Sequence, residues 1–449
     1  MNQPVFIDID QLRIGMYIQL DVGWMHHPFP TSSFKVAHSG QIELLRSLGL
    51  KQVRYLPARS DVEAGAEPAA PQPASDGSDA GAGADAAAGE GGGEGEGEGA
   101  TAAPVGGLSG IRARRLALLS ALTAQRLSLD RCDQRFYEAT REYQRLAAKA
   151  PADPRAAREQ ADALVAGCVA EVLDHGDSAI RLLSQGVGVQ PALHPVNVMV
   201  LSLLLARALG TQGDGLHGIG TAALLHDLGK HALAPHVAEP AAPLLPADRK
   251  RYEGHVAESV ALARRMGLPG AALVAIAQHH EMADGSGFPL GLHGEDLSRA
   301  GQIVALVNHY DRMCNPLHGA AALTPHEALS VIFAQHKARF DAVVLGAFIR
   351  MMGVYPPGSV VQLVNDRYAL VISVNSARPL RPRVLVHDSR VPRDEALILD
   401  LERVPELGIR RSLRPAQLPR DALDYLSPRQ RICYFFERAV DPGPGGTAP

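Results

Sequence analysis

Hydrophobic and polar residues follow three different patterns along the chain, and each pattern predicts a different kind of structure. Residues 4–57 contain short alternating runs around one amphipathic segment, which is typical of a small α+β module. Between residues 112 and 352 apolar positions recur every three or four residues and predict helices. After residue 358 short apolar runs separated by Gly, Asn and Pro predict a small antiparallel sheet. We therefore expect a multidomain chain.

The individual elements follow from the same patterns. In the N-terminal module we expect one helix at 41–48 and strands at 5–7, 16–18 and 53–55. Two long helices should follow at 112–147 and 154–184, interrupted by the Pro-containing residues 150–154. Further helices are predicted at 196–209, 219–226, 271–278, 300–313, from 324 onward, and at 340–352. Strands are predicted at 360–364, 368–374, 383–387 and 397–401, and residues 432–436 should pack as a strand or on the helices.

A biased segment separates the first module from the helices. Residues 59–110 consist mainly of Gly, Ala, Pro, Ser and acidic residues, and Lys and Arg are absent from 60 to 111. Such a segment cannot bury enough apolar surface to offset its chain entropy, so it predicts a disordered linker. Its ten acids lower the formal net charge to -4, and the rest of the chain carries +6 (-4 + 10). A charge of this size disfavours a nucleic-acid polymer as partner.

Composition also bears on the cellular compartment. Four widely spaced cysteines form no CxxC pair, which excludes a zinc knuckle and gives no sign of a disulfide framework. The N-terminus lacks the basic start and apolar core of a signal peptide, and no run of about 18 apolar residues predicts a membrane span. We predict a cytoplasmic protein.

The candidate chemistry centres on the adjacent residues His226 and Asp227, which end an apolar helix before Gly229 and Lys230. Neighbouring side chains point about 100° apart on a helix, so a metal bound by both must lie near the helix terminus. An isolated His-Asp pair is more often a buried hydrogen bond that orients a ring. Here further potential ligands occur before and after the pair, at His194, His255, His279 and His280.

Three blocks in this order carry a family resemblance: His226-Asp227-x-Gly-Lys, His279-His280-Glu281, and 284–289, which reads Asp-Gly-Ser-Gly-Phe-Pro. From about 190 to 358 the chain resembles the HD superfamily of metal-dependent phosphohydrolases, in particular its HD-GYP branch of cyclic-di-GMP phosphodiesterases. The N-terminal module resembles the domain of unknown function that often precedes HD-GYP domains. The resemblance implies an all-α HD-type helical bundle between the α+β module and the β-rich C-terminal extension. The expected bounds are 1–58 for the module, 59–110 for the linker, 111–186 for the connecting helices, 187–357 for the bundle and 358–440 for the extension.

The same resemblance implies a centre with two divalent metal ions, Fe, Mn or Ni. His194, His226 and Asp227 would bind the first metal, with Asn308 at the position where the family usually has an Asp. Asp227 would bridge to a second metal bound by His255, His279 and His280. Asp227 and Lys230 are the expected catalytic residues, with Lys230 either near the scissile phosphate or bracing Asp227.

The segment 284–289 is implied to contact substrate or a protein partner through Asp284, Gly285, Ser286, Gly287, Phe288 and Pro289. Its Gly residues suit a tight turn or close backbone approach. Phe288 replaces the usual Tyr of the family and keeps the aromatic surface. Glu281 can fix this loop by hydrogen bonding or touch substrate, and the sequence leaves both open.

Three positions depart from the family pattern. Gln190 stands where some members have a Glu for a third metal, so we expect no third ion. Asn308 removes one negative charge from the metal shell, and hard cations bind more weakly as ligand charge falls. A turn rich in Arg that commonly grips a substrate phosphate is replaced by 314–319. Asp311, the second acid of the pattern, is kept and is expected to act through a hydrogen bond rather than as a ligand.

Three functions remain in competition. The first is hydrolysis of cyclic-di-GMP to linear pGpG, with GMP as the alternative final product, in bacterial second-messenger signalling. The second is a catalytically weak or inactive relative that binds cyclic-di-GMP or a signalling partner. The third is a nucleotidase of the HD type, which the 284–289 block argues against. Expected partners are cyclic-di-GMP, with a diguanylate cyclase or other signalling protein and a homodimer as open alternatives.

Overall fold

The structure is a computed structural model, and it describes most of the chain outside the linker. The described residues are 5–20, 33–36, 39, 42, 45–46, 52–61, 105–174, 178–240, 243–316, 321–375, 381–404 and 406–438, with the backbone alone described at 105–114 and at a few single positions. The predicted helix at 41–48 lies largely outside these residues, and the predicted linker lies outside them from 62 to 104. The chain divides into two compact units, residues 1–120 and 121–449.

The first unit contains a four-stranded antiparallel sheet. Its strands are β1 (Val5–Asp8), β2 (Tyr17–Gln19), β3 (Ser33–Lys35) and β4 (Gln52–Tyr55), in the order β1-β4-β2-β3. The three predicted strands of the module are therefore confirmed, and β3 is an additional one. Alternate residues of the strands point to one side, so Ile7, Ile18 and Val53 are buried together in a small core.

The described part of the chain contains twelve α-helices, and eleven of them lie between residues 105 and 352. They are α1 (Val105–Lys149), α2 (Pro154–Asp174), α3 (Leu193–Ala208), α4 (Asp214–Leu225), α5 (Pro235–Ala238), α6 (Pro246–Glu253), α7 (His255–Arg265), α8 (Gly270–Gln278), α9 (Arg299–Cys314), α10 (Pro325–Gln335), α11 (Ala342–Met352) and α12 (Arg420–Leu426). The predicted break at 150–154 is confirmed, since α1 ends at Lys149 and α2 begins at Pro154. The predicted capping box is present as well, because Thr324 and Glu327 hydrogen-bond each other's backbone amide.

Helix α3 forms the centre of the bundle and packs against α4, α9 and α11. Its residues 195–206 are buried. By length and composition the stretch Gln190–Ala208 is apolar enough to cross a membrane, but 72% of it is buried inside the protein. Burial on all sides explains the uniform apolar composition, which is typical of a core helix.

A second sheet joins the end of the chain to its helical part. It contains β5 (Ser178–Leu182), β6 (Val360–Leu363), β7 (Tyr368–Asn375), β8 (Arg383–Val386), β9 (Ile398–Asp400), β10 (Ile409–Leu413) and β11 (Tyr434–Arg438). The main path runs β10-β6-β7-β5-β11, and β8 pairs with both β7 and β9. The four predicted C-terminal strands are confirmed, while β10 and α12 carry no clear periodicity and were not predicted.

Strand β5 corrects one sequence prediction. A helix was expected through residue 184, but α2 ends at Asp174 and the chain continues as a strand between β7 and β11. Residues 179–183 are all buried, at 4% exposure or less. The strand reads Ser-Ala-Ile-Arg-Leu, without the apolar–polar alternation that marks a half-buried strand, and its Arg181 is buried through an ion pair with Glu437 at 2.6 Å. The connecting segment and the C-terminal extension thus share one sheet.

Candidate metal centre

Four helices bring the predicted histidine ligands together at their ends. His194 lies in the first turn of α3, and His226 follows the last residue of α4. His255 is the first residue of α7, and His279 with His280 directly follows α8. The packing of these helix ends against one another places five imidazoles around one carboxylate, Asp227.

One oxygen of Asp227 faces the first pair of imidazoles. Asp227 Oδ2 lies 3.5 Å from the Nε2 atoms of both His194 and His226. The two Nε2 atoms lie 3.2 Å from each other. These three residues form one group that could hold a metal ion.

The other carboxylate oxygen of Asp227, Oδ1, faces the second group of imidazoles. Asp227 Oδ1 lies 3.4 Å from His255 Nε2 and 3.6 Å from His279 Nε2. The two imidazole nitrogens are 3.3 Å apart, and His280 completes this second group of potential ligands. A single carboxylate therefore lies between two separate clusters, with a different oxygen towards each.

Three of the histidine rings donate from Nδ1 to backbone carbonyl oxygens, so their Nδ1 protons point away from the centre. His226 Nδ1 donates to the Ala223 carbonyl at 2.7 Å, and His279 Nδ1 donates to the Ile276 carbonyl at 2.6 Å. His255 Nδ1 makes the same kind of bond, to the Tyr252 carbonyl. In a neutral imidazole this leaves an unprotonated Nε2, which is the usual arrangement for a metal-binding histidine.

His194, in the first turn of α3, donates from Nδ1 to a carboxylate instead of a backbone carbonyl. His194 Nδ1 lies 2.5 Å from Asp311 Oδ2, so the ring donates and its Nε2 lone pair faces the centre. Asp311 is itself buried and accepts from Asn197 at 2.5 Å and from Asn315 at 2.9 Å through Oδ1. Its geometry matches the expected hydrogen-bonding role, which orients His194.

Burial also lowers the pKa of four imidazoles of the centre. Desolvation lowers the pKa of His194 and of His279, and lowers that of His226 and His280 well below the ordinary histidine value. Burial alone would raise the pKa of Asp227, but Lys230 holds it well below its ordinary value. These four imidazoles are consequently neutral, and they face an ionised carboxylate.

The residues of the centre suit metal ions, because several of their polar atoms have no other partner. In the neutral rings the Nε2 lone pairs of His194 and His226 face each other at 3.2 Å with no proton between them, which is repulsive unless a cation lies nearby. Three further buried atoms have no hydrogen-bond partner: Asp227 Oδ1, His280 Nε2 and Asn308 Oδ1. Buried polar atoms without partners are costly, and metal coordination would satisfy them.

Two cationic side chains lie on the Oδ2 side of the carboxylate. Lys230 Nζ donates to Asp227 Oδ2 at 2.6 Å. Of the two roles that the sequence left open for Lys230, this contact corresponds to bracing Asp227. Arg312 Nη2 donates to the same oxygen at 2.7 Å. The sequence reading missed Arg312. Its signal was helical spacing, since Asn308, Asp311 and Arg312 lie on one face of α9.

Gly229 is required for packing rather than for ending a helix. A Cβ atom at this position would lie 2.2 Å from the His255 carbonyl oxygen and 2.5 Å from the Ser259 amide nitrogen. The Gly229 amide donates to Ser259 Oγ at 2.8 Å. The turn that carries Asp227 can therefore press against the start of α7 only because residue 229 has no side chain. The chain continues from it as a 3-10 turn, Leu228–Ala232.

The loop at 284–289 is held from within the protein. Glu281 is buried, and its two carboxylate oxygens accept the amides of Leu290 and Leu292 at 2.7 and 2.9 Å. Of the two roles left open for Glu281, the structure thus shows the one that fixes the loop. Gly287 has no room for a side chain, because a Cβ would lie 2.4 Å from the Met282 amide nitrogen.

The end of this loop contacts the centre through an aromatic ring. Phe288 stacks on His280 with ring centroids 4.4 Å apart and 21° between the ring planes. At the other end of the loop Asp284 Oδ1 accepts from the Ser286 amide and hydroxyl at 3.0 and 2.6 Å. The positive φ of 75° at Gly285 explains the glycine there.

A cavity of about 700 Å³ opens beside the centre. Its walls include His194 and Asp227 of the centre, the cations Lys230, Arg312 and Arg431, and Gln190 and Tyr143 from outside the bundle core. Asn308 contacts the centre through its Nδ2, which donates to the His279 carbonyl oxygen at 3.3 Å. The loop residues 284–289 are not among the residues that line this cavity in the described part of the chain.

Comparison with known proteins identifies two domain families in the chain. Residues 5–161 match DUF3391, a domain of unknown function, and residues 174–344 match the HD domain family. A cyclic di-GMP phosphodiesterase of Pseudomonas aeruginosa is 25% identical over 418 residues, which cover 92% of each chain. A cyclic di-GMP phosphodiesterase response regulator of Xanthomonas campestris is 31% identical over 33% of this chain and 39% of its own.

Among solved structures, an HDG"Y"P protein from Bdellovibrio bacteriovorus is 16% identical and covers 77% of this chain and 98% of its own, with a TM-score of 0.39. The HD domain match contains His194, His226, Asp227, His255, His279 and His280. A DUF3391 domain precedes it, as the sequence resemblance predicted. The predicted resemblance is thereby confirmed at the level of domains: the chain contains an HD domain after a DUF3391 domain, and it is similar over 92% of its length to a cyclic di-GMP phosphodiesterase.

Proposed function

We propose that this protein is a metal-dependent phosphodiesterase that hydrolyses cyclic-di-GMP to linear pGpG, with GMP as the product of a second cleavage. One observation carries the proposal: the two oxygens of the buried Asp227 carboxylate face two separate groups of imidazoles. A carboxylate in this position can bridge two cations. The names of the relatives supply the substrate.

The residues of the centre suit two divalent ions. His194, His226 and Asp227 Oδ2 would hold one ion, with Asn308 Oδ1 as a further donor, and His255, His279, His280 and Asp227 Oδ1 would hold the other. Neutral imidazoles with a single carboxylate favour Fe, Mn or Ni over Ca or Mg. Two such ions supply an activated water and Lewis-acid stabilisation of the phosphodiester.

The remaining residues of the site orient a ligand ring and supply positive charge beside the substrate. Asp311 fixes the His194 ring through Nδ1, which keeps Nε2 directed at the centre. Lys230 holds Asp227 ionised and places a positive charge at the cavity wall, where a phosphodiester would lie. Electrostatic stabilisation of this kind is a large part of catalysis in phosphoryl transfer.

The test uses the full chain loaded with Mn or Fe and given cyclic-di-GMP. We expect hydrolysis to pGpG, and Asp227→Asn should reduce the rate by at least about 10²-fold, because both groups of ligands lose the shared charge. His217→Gln is the matched control, since this histidine pairs with Asp162 outside the centre. Metal content measured on the same samples should fall in Asp227→Asn and stay unchanged in the control. An inactive, fully metal-loaded wild-type protein would refute the proposal.

A second candidate is a protein that binds cyclic-di-GMP without turning it over. The observation that favours it is Asn308, a neutral amide whose buried Oδ1 stands where the family usually supplies a carboxylate. Saturable binding of cyclic-di-GMP by the metal-loaded protein without any product would establish this candidate over the first.

The N-terminal module and the cellular setting complete the proposal. The DUF3391 domain would sense a signal or dock a partner such as a diguanylate cyclase, and the protein would act in the cytoplasm. A homodimer through the long helices would give a scattering mass of twice the 47.7 kDa chain.

A further inference from the structure

The family's Arg-rich turn after the metal-binding helix is absent from this chain, yet the cavity wall contains an arginine at another position. Arg312 lies on α9, one residue after Asp311, and its side chain is 21% exposed into the cavity beside Asp227. We propose that Arg312 is a substrate-binding residue that grips a phosphate oxygen pair of the substrate. This inference rests on the proposed function for the identity of the substrate.

The guanidinium of Arg312 has binding capacity that the protein does not use. Its Nη2 donates to Asp227 Oδ2 at 2.7 Å, whereas its Nε is buried and has no hydrogen-bond partner. Nε and Nη2 form one edge of the planar guanidinium fork, which matches two oxygens of a phosphate. A buried N–H without an acceptor is costly, so an arriving phosphate would satisfy a donor that is otherwise unpaired.

The charges around Asp227 also argue that Arg312 moves when the site is complete. Asp227 Oδ2 already accepts from Lys230 at 2.6 Å and faces the Nε2 atoms of His194 and His226 at 3.5 Å. A divalent ion held by those imidazoles would repel a guanidinium only a few ångströms away. The open side of Arg312 is the cavity, so the guanidinium would turn towards the anion bound there.

A purely structural role explains less of this geometry. Lys230 alone neutralises Asp227 Oδ2, and a second cation on the same oxygen adds charge where the metal must bind. If Arg312 served only to hold Asp227, its removal would lower metal content. If it binds phosphate, its removal leaves metal content equal or higher and weakens the binding of anions.

The test measures anion binding apart from turnover. Inorganic phosphate is titrated by calorimetry into the Mn-loaded full chain as wild type, Arg312→Ala, Arg312→Lys and Arg299→Ala. Arg299 is the matched control because it lies on the same helix and pairs with a carboxylate, Asp341, at 2.7 Å. We expect Arg312→Ala to weaken phosphate binding roughly 10- to 100-fold, the usual range for a charged hydrogen-bonding pair.

Arg312→Lys should recover part of the affinity, since it keeps the charge but loses the fork. Kinetics on cyclic-di-GMP should show a raised KM in Arg312→Ala with kcat nearly unchanged, and Arg299→Ala should match wild type in phosphate binding, KM and kcat. Unchanged phosphate binding in Arg312→Ala, or a loss of metal that accounts for the weaker binding, would overturn the proposal. Because the phosphate titration needs no hydrolysis, it gives an answer even if cyclic-di-GMP is not turned over.

Discussion

At the scale of single residues, the neutral side chain of Asn308 distinguishes this centre from one with a full set of carboxylates. Its Nδ2 donates to the His279 carbonyl at 3.3 Å, and its Oδ1 is a buried acceptor without a partner. The amide thus tolerates the absence of a metal better than a buried carboxylate would, because an unpaired buried charge costs far more than an unpaired dipole. The same neutrality should make the ion held by His194 and His226 easier to remove.

Replacing Asn308 with Asp tests this interpretation. A carboxylate adds one negative charge to the shell, so we expect slower loss of metal to EDTA and a higher rate at limiting Mn. Metal content after timed dialysis and initial rates are the measurements. Asn365→Asp, in the turn before β7, makes the same charge change away from the centre and should have neither effect. If metal retention and rate both stay at the wild-type level in Asn308→Asp, weak ligation does not limit this centre.

At the scale of elements, the centre depends on how closely the turn after α4 packs against α7. Gly229 makes this approach possible, because a Cβ atom would lie 2.2 Å from the His255 carbonyl oxygen. The turn and the start of α7 each carry a proposed ligand, Asp227 and His255. A shift of one element against the other would therefore change the distance between those two side chains.

Gly229→Ala should be destabilising as well as inactivating. Overpacking against backbone atoms typically costs about 1–3 kcal/mol, and we expect the upper part of that range here. Gly218→Ala is the control: it lies inside α4 with open space around it, so it should stabilise the helix by roughly 0.5–1 kcal/mol. Urea unfolding of both variants measures the difference. Equal stability of the two variants would show that the contact at Gly229 relaxes without cost.

Helix α11 offers a test of pH dependence outside the centre. Asp341 caps this helix by accepting the amides of Val343 and Val344, and Arg299 donates to it at 2.7 Å. Partial burial would raise its pKa, but these donors lower it below the ordinary Asp value. A lowered pKa means that the stabilisation is present above the ordinary Asp pKa and disappears as the pH falls through the folded-state value.

Asp341→Ala should accordingly cost about 1 kcal/mol at neutral pH, the usual value of a helix N-cap. The difference from wild type should shrink in acid, as the carboxyl of the wild type becomes protonated. Urea midpoints measured at pH 7 and at about pH 3 provide the comparison. A difference that is the same at both pH values would contradict a role for the ionised cap.

At the scale of the whole molecule, the centre joins parts of the chain that are far apart in sequence. The histidines that the structure brings together around Asp227 extend from His194 to His280, and the hydrogen bonds that position them reach Asp311. An ion bound at such a site binds the folded protein and not the unfolded chain, so it stabilises the fold by mass action.

Metal removal should therefore lower the melting temperature of the unit at 121–449. At a free metal concentration 100 times Kd the expected stabilisation is about 2.7 kcal/mol per ion. Scanning calorimetry of the chelated and the Mn-reloaded protein measures the shift, and Asp227→Asn should lose most of it. A melting temperature that does not respond to chelation in a protein shown to bind metal would contradict this coupling.

The sequence alone determined the parts of the protein that depend on local chemistry. The residue types and their order predicted the histidines that the structure brings together around Asp227, and Pro154, Thr324 and Glu327 marked helix ends that the structure confirms. These signals are short in range, because caps and periodicity act over a few residues.

Only the tertiary structure decided how distant parts meet. The placement of β5 between β7 and β11, the contact of Arg312 with Asp227, and the division of the imidazoles between Oδ1 and Oδ2 all depend on helix packing and strand pairing. A short buried strand cannot be distinguished from a helix by periodicity alone, and a side chain's partner across the fold leaves no periodic mark in the sequence. Those contacts are set by long-range packing, which determines where each helix end lies.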